Sequence, residues 1–157
     1  MSRVLVIDDE PGLRQSLGLL LGDAGYSVTA EADGRRGLER ALAEPFDLVL
    51  CDVRMPQLSG IEFLRAYKDR GGAALVIMMS AYGGEDAALA AMKEGAYDYI
   101  VKPFHIDDMR LKVERALHVK KTEASLKRVK GLFLSCIILI PVLVSLGIIF
   151  GIFWKER

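Results

Sequence analysis

The sequence predicts an α/β fold: five parallel strands in one doubly wound sheet, in spatial order 2-1-3-4-5, with helices over both faces. Three observations carry this prediction. Apolar runs at Val4 to Ile7, Leu48 to Cys51 and Ala74 to Met79 have the unbroken aliphatic character of strands buried on both sides. Segments with apolar residues at helical spacing separate them. Parallel strands need such crossovers, and a right-handed crossover lays its helix on a face of the sheet.

Each element has its own signal. Val4 to Ile7 ends in Asp8-Asp9-Glu10-Pro11, acids ahead of a proline at the first helical turn. Leu13, Leu17, Leu20 and Leu21 recur at helical spacing, and Gly22 and Gly25 mark the helix end. Ser27 to Glu31 is the second strand. Asp33 caps a helix to about Ala43, and Pro45 stops it. Leu48 to Cys51 is the central strand, with Asp52 at its carboxyl end, opening into the loop of Met55-Pro56. Ser59 or Leu58 opens a helix to about Asp69, closed by Gly71-Gly72. Ala74 to Met79 is the fourth strand and ends at Ser80. Glu85 to Glu94 is helical with Gly95 just past its end, and Tyr97 to Val101 is a fifth strand ending at Lys102-Pro103. Asp107 or Asp108 caps a last helix whose Met109, Val113, Ala116 and Leu117 line one face. The strand order is that of flavodoxin-like sheets, which bind ligands at the carboxyl rim.

That rim collects Asp8, Asp9, Asp52, Ser80 and Lys102. Carboxylates so placed repel one another, and a divalent ion relieves the repulsion. Mg²⁺ suits the oxygen donors, keeps several waters and is usually held by one or two carboxylates plus a phosphate. Asp52 is placed to act as a nucleophile, Lys102 supplies a compact positive charge, and Ser80 a hydroxyl donor for phosphoryl oxygens. Together they read as an aspartyl-phosphate site.

Composition excludes other classes. The 157 residues carry 21 basic and 21 acidic side chains, so there is no overall basic excess of the kind nucleic acid selects. Cys51 and Cys136 form no disulfide or metal framework, and a reducing compartment suits the folded part. His105 and His118 lack metal-ligand spacing. Met1-Ser2-Arg3 runs straight into a strand, without an N-terminal targeting signal.

The chain resembles the receiver (CheY-like) domains of two-component response regulators over about residues 1 to 120. The motifs are Val6-Ile7-Asp8-Asp9-Glu10, Asp52-Val53-Arg54-Met55-Pro56 with Ser59-Gly60, Met79-Ser80-Ala81, and Tyr99-Ile100-Val101-Lys102-Pro103-Phe104. The resemblance implies that Asp52 accepts phosphate from a sensor histidine kinase or phosphotransfer protein. It implies that Asp8, Asp9, Asp52 and the Arg54 backbone carbonyl organise Mg²⁺, and that Lys102 and Ser80 bind the phosphoryl group. It further implies a cis Lys102-Pro103 peptide and a switch formed by Ser80 and Tyr99. By the same resemblance Arg54 and Tyr82 are expected to flank the route of the hydrolytic water, and a downstream protein is expected to bind at about residues 83 to 119. Such a chain is no enzyme beyond catalysing its own phosphorylation and dephosphorylation.

The tail departs from the usual receiver layout. No charge occurs from Leu132 to Trp154, a run that as a helix reaches about 35 Å against a hydrocarbon core of roughly 30 Å. Pro141 is expected to kink this span, and Gly147 and Gly151 form a small-residue pair able to bring two copies together. Lys120, Lys121, Lys127, Arg128 and Lys130 precede it, opposed by Glu123, and keep their side cytoplasmic near anionic membrane lipid. The expected layout is a receiver at 1–119, a basic linker at 120–130, a transmembrane helix at 131–154 and a short tail at 155–157. This places a single-pass chain in the inner membrane with the receiver in the cytoplasm. No helix-turn-helix or nucleotide-binding loop is present, so output is expected through protein contacts. Alternatives are a phosphorelay intermediate or phosphate sink, a phosphorylation-independent docking module, and a fragment of a larger membrane sensor.

Overall fold

The computed structural model describes residues 1–81 and 85–126. Tyr82, the expected span at 131–154 and the basic residues Lys127, Arg128 and Lys130 lie outside them. Among the described residues no helix is long and apolar enough to cross a membrane. The chain divides into two compact units, Met1–Lys120 and Lys121–Arg157, and the sheet belongs to the first. Of the second, residues 121–126 are helical.

The first unit runs β1 (Arg3–Ile7), α1 (Pro11–Asp23), β2 (Ser27–Glu31), α2 (Gly34–Ala43), β3 (Leu48–Asp52), α3 (Gly60–Asp69), β4 (Leu75–Ser80), α4 (Glu85–Lys93) and β5 (Asp98–Val101). Within this unit residues 106–120 are helical and form α5. All strand pairs are parallel, in the predicted order β2-β1-β3-β4-β5. The alternation of the strands splits the interior in two. Leu5, Ile7, Val49, Cys51, Val76 and Met78 face a cluster containing Leu38 of α2 and Phe63, Leu64 and Tyr67 of α3. Val4, Val6, Leu48, Leu50, Ile77 and Met79 face Leu17 and Leu21 of α1 and Met109, Val113, Ala116 and Leu117 of α5. Consecutive residues are therefore buried on opposite sides, which is why β1, β3 and β4 read as unbroken apolar runs. Each fully buried aliphatic side chain contributes about 2 kcal/mol relative to exposure.

The helix starts follow their caps, with one correction. Pro11 occupies the first turn of α1, and the Asp33 carboxylate accepts the Arg36 N–H at 2.8 Å. Ser59 and Glu62 form a reciprocal capping box, which decides the start of α3 in favour of Ser59 over Leu58. Neither Asp107 nor Asp108 caps α5: the Met109 N–H already donates to the His105 carbonyl at 3.2 Å, so both acids sit inside the first turn. There they favour the positive end of the helix dipole, which is why they mimic a cap in sequence. Gly22 likewise lies within α1, and Gly25, with φ of 85°, makes the turn into β2.

Candidate functional site

Strand register brings the rim residues together. Ile7 pairs with Cys51, so Asp8 and Asp52 stand side by side one residue past that pair. Asp52 pairs with Met79 and Ser80 with Val101, which steps Ser80 and then Lys102 around the same edge. Backbone bonds fix these exits: Val53 N–H to Met79 carbonyl at 2.7 Å, Lys102 N–H to Ser80 carbonyl at 2.7 Å, and Asp8 N–H to Glu31 carbonyl at 3.2 Å.

The side chains meet across 94 positions of sequence. Lys102 Nζ donates to Asp8 Oδ2 at 2.7 Å and lies 3.3 Å from Asp52 Oδ2. Asp8 is 0% exposed, Asp52 7% and Ser80 2%, while Asp9 is open to solvent. Asp8 is held on both sides, its Oδ1 accepting the Glu10 N–H at 2.9 Å and its carbonyl accepting from Arg14 at 2.6 Å. Carboxylate oxygens of Asp8, Asp9 and Asp52 all lie within 4.8 Å of one another. Three hard oxygen donors, two buried and one facing water, fit a divalent cation that keeps part of its hydration.

The electrostatics are set by this crowding. Burial raises the Asp52 carboxyl above its ordinary value and the Asp8 charge adds to that, against the opposing pull of Lys102 and a hydrogen bond from the Arg54 backbone. Burial works against the Lys102 charge, but the hydrogen bond to Asp8 and the charges of Asp8 and Asp52 outweigh it and raise its pKa. Burial, with Asp52 and Asp8 behind it, pushes the Cys51 thiol well up, so Cys51 stays an inert part of the core.

The remaining predicted residues surround this centre. Arg54 has its side chain in solvent and reaches Asp52 through its backbone. Tyr99 is part-buried against the α2/α3-side core, and the Lys102–Pro103 peptide is cis. A cavity of about 650 Å³ opens beside Lys102, walled by Glu10, Leu13, Ser16, Ala81, Pro103 and Phe104. His105 and His118 are exposed and take no part in the acidic cluster. Two further contributors come from backbone packing, one at a motif residue and one not marked in the sequence. A Cβ on Gly60 would collide with the Asp52 carbonyl, so the loop after β3 folds back over the acid only because residue 60 is glycine. Arg14 reaches the Asp8 carbonyl from α1. Nothing local marks Arg14, whereas Gly60 stands in the Ser59-Gly60 part of the motif, without its contact to the Asp52 carbonyl being readable there.

A family model described as the response regulator receiver domain matches residues 4–114. The transcriptional regulatory protein ZraR of Escherichia coli K12 is 40% identical over 114 residues, covering 73% of this chain and 26% of ZraR. The response regulator PilR of Pseudomonas aeruginosa is 34% identical over 122 residues, 78% of this chain and 27% of PilR. The chain thus spans about a quarter of the length of these curated relatives. Among solved structures, a receiver domain from Clostridium thermocellum superposes with a TM-score of 0.72 at 34% identity, covering 78% of this chain and 98% of that one. CheY4 of Vibrio cholerae superposes at 0.69 with 31% identity, covering 74% of this chain and 98% of CheY4.

Proposed function

Because the chain belongs to the response regulator receiver domain family, we propose that it is a phosphorylation switch in which Asp52 receives a phosphoryl group from the phosphohistidine of a sensor kinase or phosphotransfer protein. The carrying observation is the placement of Lys102 Nζ within 2.7 Å of Asp8 and 3.3 Å of Asp52 at the strand rim. An Asp52 oxygen attacks phosphorus, the P–N bond breaks, and the imidazole leaves with the bonding electrons and takes a proton. An acyl phosphate remains on the aspartate. Lys102 holds positive charge beside the acceptor, and Ser80 offers a hydroxyl to the transferred group. Asp8, Asp9, Asp52 and the Arg54 carbonyl are the residues to hold Mg²⁺, which when bound neutralises phosphoryl oxygens. Arg54 and Tyr82 flank the path of hydrolytic water.

Ser80 turning toward the phosphoryl group frees space for Tyr99, and the surface at residues 83–119 changes its affinity for a downstream protein. The change is a shift between two populations, driven by whatever phosphate binds better in one than the other. Output through this surface, rather than through DNA, suits the charge-balanced composition; the transcriptional role in ZraR's name is not carried over. The charge-free run at 131–154 anchors the chain in the inner membrane with the receiver in the cytoplasm, on the strength of its length and the basic residues before it. Labelling with acetyl phosphate and Mg²⁺ tests the acceptor: wild type gains a phosphoryl group, and undiminished labelling of Asp52→Asn would overturn the assignment. Extraction of membranes with detergent but not with high salt tests the anchor; release by salt alone contradicts it.

A further inference from the structure

The opposite end of the sheet carries a second charged constellation. α3 closes at Lys68, Asp69 and Arg70, and the connection to β4 is Gly71-Gly72-Ala73-Ala74. Lys68 Nζ donates to the Ala74 carbonyl at 3.2 Å, and Lys120 Nζ donates to the carbonyl of Ala73. Two ammonium groups from distant helices therefore converge on consecutive carbonyls. Among the described residues neither is in an ion pair, because most of the nearby acids have other partners. Glu44 is paired with Arg3 and Arg40, Asp47 accepts the Arg3 N–H, and Glu94 is paired with Arg65, whose field Asp69 also joins. Burial and the Lys120 charge both lower the Lys68 pKa, the mark of cations brought together without an anion between them.

The surroundings suit a phosphate-bearing surface. Arg70 is exposed, and the connection beside it has no side chain larger than a methyl group. Gly72 lies against the Tyr67 ring, where a Cβ would approach to 2.4 Å of its carbons, and Gly71 and Ala73 on either side of it are exposed. A recess of about 370 Å³ adjoins it, walled by Leu42, Glu44, Pro45, Phe46, Tyr67 and Arg70, with Glu44 held by Arg3 and Arg40. Cations grouped around a connection of small residues match a layer of headgroup phosphates. Chain connectivity selects the occupant. The compact unit ends at Lys120, the next ten residues include Lys121, Lys127, Arg128 and Lys130, and the charge-free run follows. Ten residues reach at most about 35 Å even when fully extended. This end of the receiver is thus tethered to the start of that run.

We propose that the amino-terminal end of the receiver sheet docks on anionic phospholipid, with Lys68, Arg70 and Lys120 meeting headgroup phosphates around the Gly71–Ala74 connection. The docking rests on the membrane-anchored reading given above. Each basic group near an anionic leaflet is worth about fivefold in binding, so the three act together while single contacts remain weak.

The test uses the full chain reconstituted into vesicles of phosphatidylcholine alone or with added phosphatidylglycerol, wild type beside an Arg70→Glu, Lys120→Glu variant. Flotation after an alkaline wash of the neutral vesicles reads the anchor. Amide exchange at residues 71–76 reads the docking. The expected result is flotation of both proteins, with exchange slowed about tenfold or more only in wild type and only with phosphatidylglycerol, and the slowing removed by high salt. Flotation without lipid-charge-dependent slowing overturns the docking and leaves the anchor standing. Equal slowing in neutral vesicles, or in the variant, also overturns it. Loss from neutral vesicles overturns the anchor and the docking with it.

Discussion

Lys102 and Lys68 are both part-buried lysines at ends of the same sheet, yet burial has opposite outcomes for them. At the carboxyl rim Lys102 sits against Asp8 and Asp52 and its proton is held more tightly than usual. At the other end Lys68 has a carbonyl, the face of Tyr67 at 5.9 Å and a second lysine for company, and its proton is held less tightly. The desolvation penalty acts on both; what differs is whether carboxylates are there to offset it. One end of the fold stores negative charge around a fixed cation, and the other presents Lys68 and Lys120, which among the described residues are in no ion pair.

Removing each cation sharpens the contrast. Lys102→Met leaves Asp8 and Asp52 buried together without their partner, so urea unfolding in metal-free buffer is expected to show a loss of about 3 kcal/mol, the cost of breaking a buried pair. A loss below about 1 kcal/mol would mean that Lys102 is not the counter-charge of the rim. Gly60→Ala comes next, at about 2 kcal/mol, because the methyl group must displace the Asp52 carbonyl. Phosphorylation by acetyl phosphate should fall in the same variant, since the acceptor moves with its backbone.

The pH dependence of Asp52→Asn reads the rim from the other partner. The folded-state pKa of Asp52 lies above its ordinary 3.8, so between those two values the folded chain holds a proton the unfolded chain has lost. Stability therefore falls as pH rises through that window, and the ionised acid remains a fixed cost above it. Asparagine removes the cost. The variant should unfold at higher urea than wild type at neutral pH without metal, with the gap closing below the ordinary aspartate value; a variant less stable at neutral pH contradicts the assignment.

The smallest effect belongs to Lys68→Met. Its folded-state pKa lies below the ordinary 10.5, so the protonated side chain costs stability at neutral pH, and the cost fades as pH rises from the folded value to 10.5. Methionine removes that charge but also the bond to Ala74, and the two changes oppose. The net shift in stability should stay within about 1 kcal/mol. A loss as large as that of Lys102→Met would erase the distinction between the two ends.

Much of the rim was legible in the sequence because a parallel sheet turns linear order into spatial order. Once Val4 to Ile7, Leu48 to Cys51 and Ala74 to Met79 are recognised as buried strands, their next residues must share an edge, and Asp8, Asp52 and Ser80 do. The helix start with a single candidate, Asp33, was equally readable, while that of α3 was left between Ser59 and Leu58 until the reciprocal bonds of Ser59 and Glu62 decided it. The start of α5 was not, since adjacent acids at 107 and 108 suit both a cap and a first turn, and only the His105 carbonyl bond separates the two. Contacts of side chains with the backbone left no local trace: Arg14 on the Asp8 carbonyl six residues back, Lys68 on the Ala74 carbonyl six residues on, and Lys120 on the Ala73 carbonyl 47 residues back.

The account turns on Asp52 as the atom-bearing acceptor of the rim. Borohydride reduction of the acetyl-phosphate-treated protein converts an aspartyl phosphate to homoserine, which peptide mass spectrometry locates. The prediction is homoserine at position 52 alone, dependent on Mg²⁺. Homoserine at Asp8 or Asp9 with residue 52 unchanged, or none anywhere under saturating donor and metal, would contradict it.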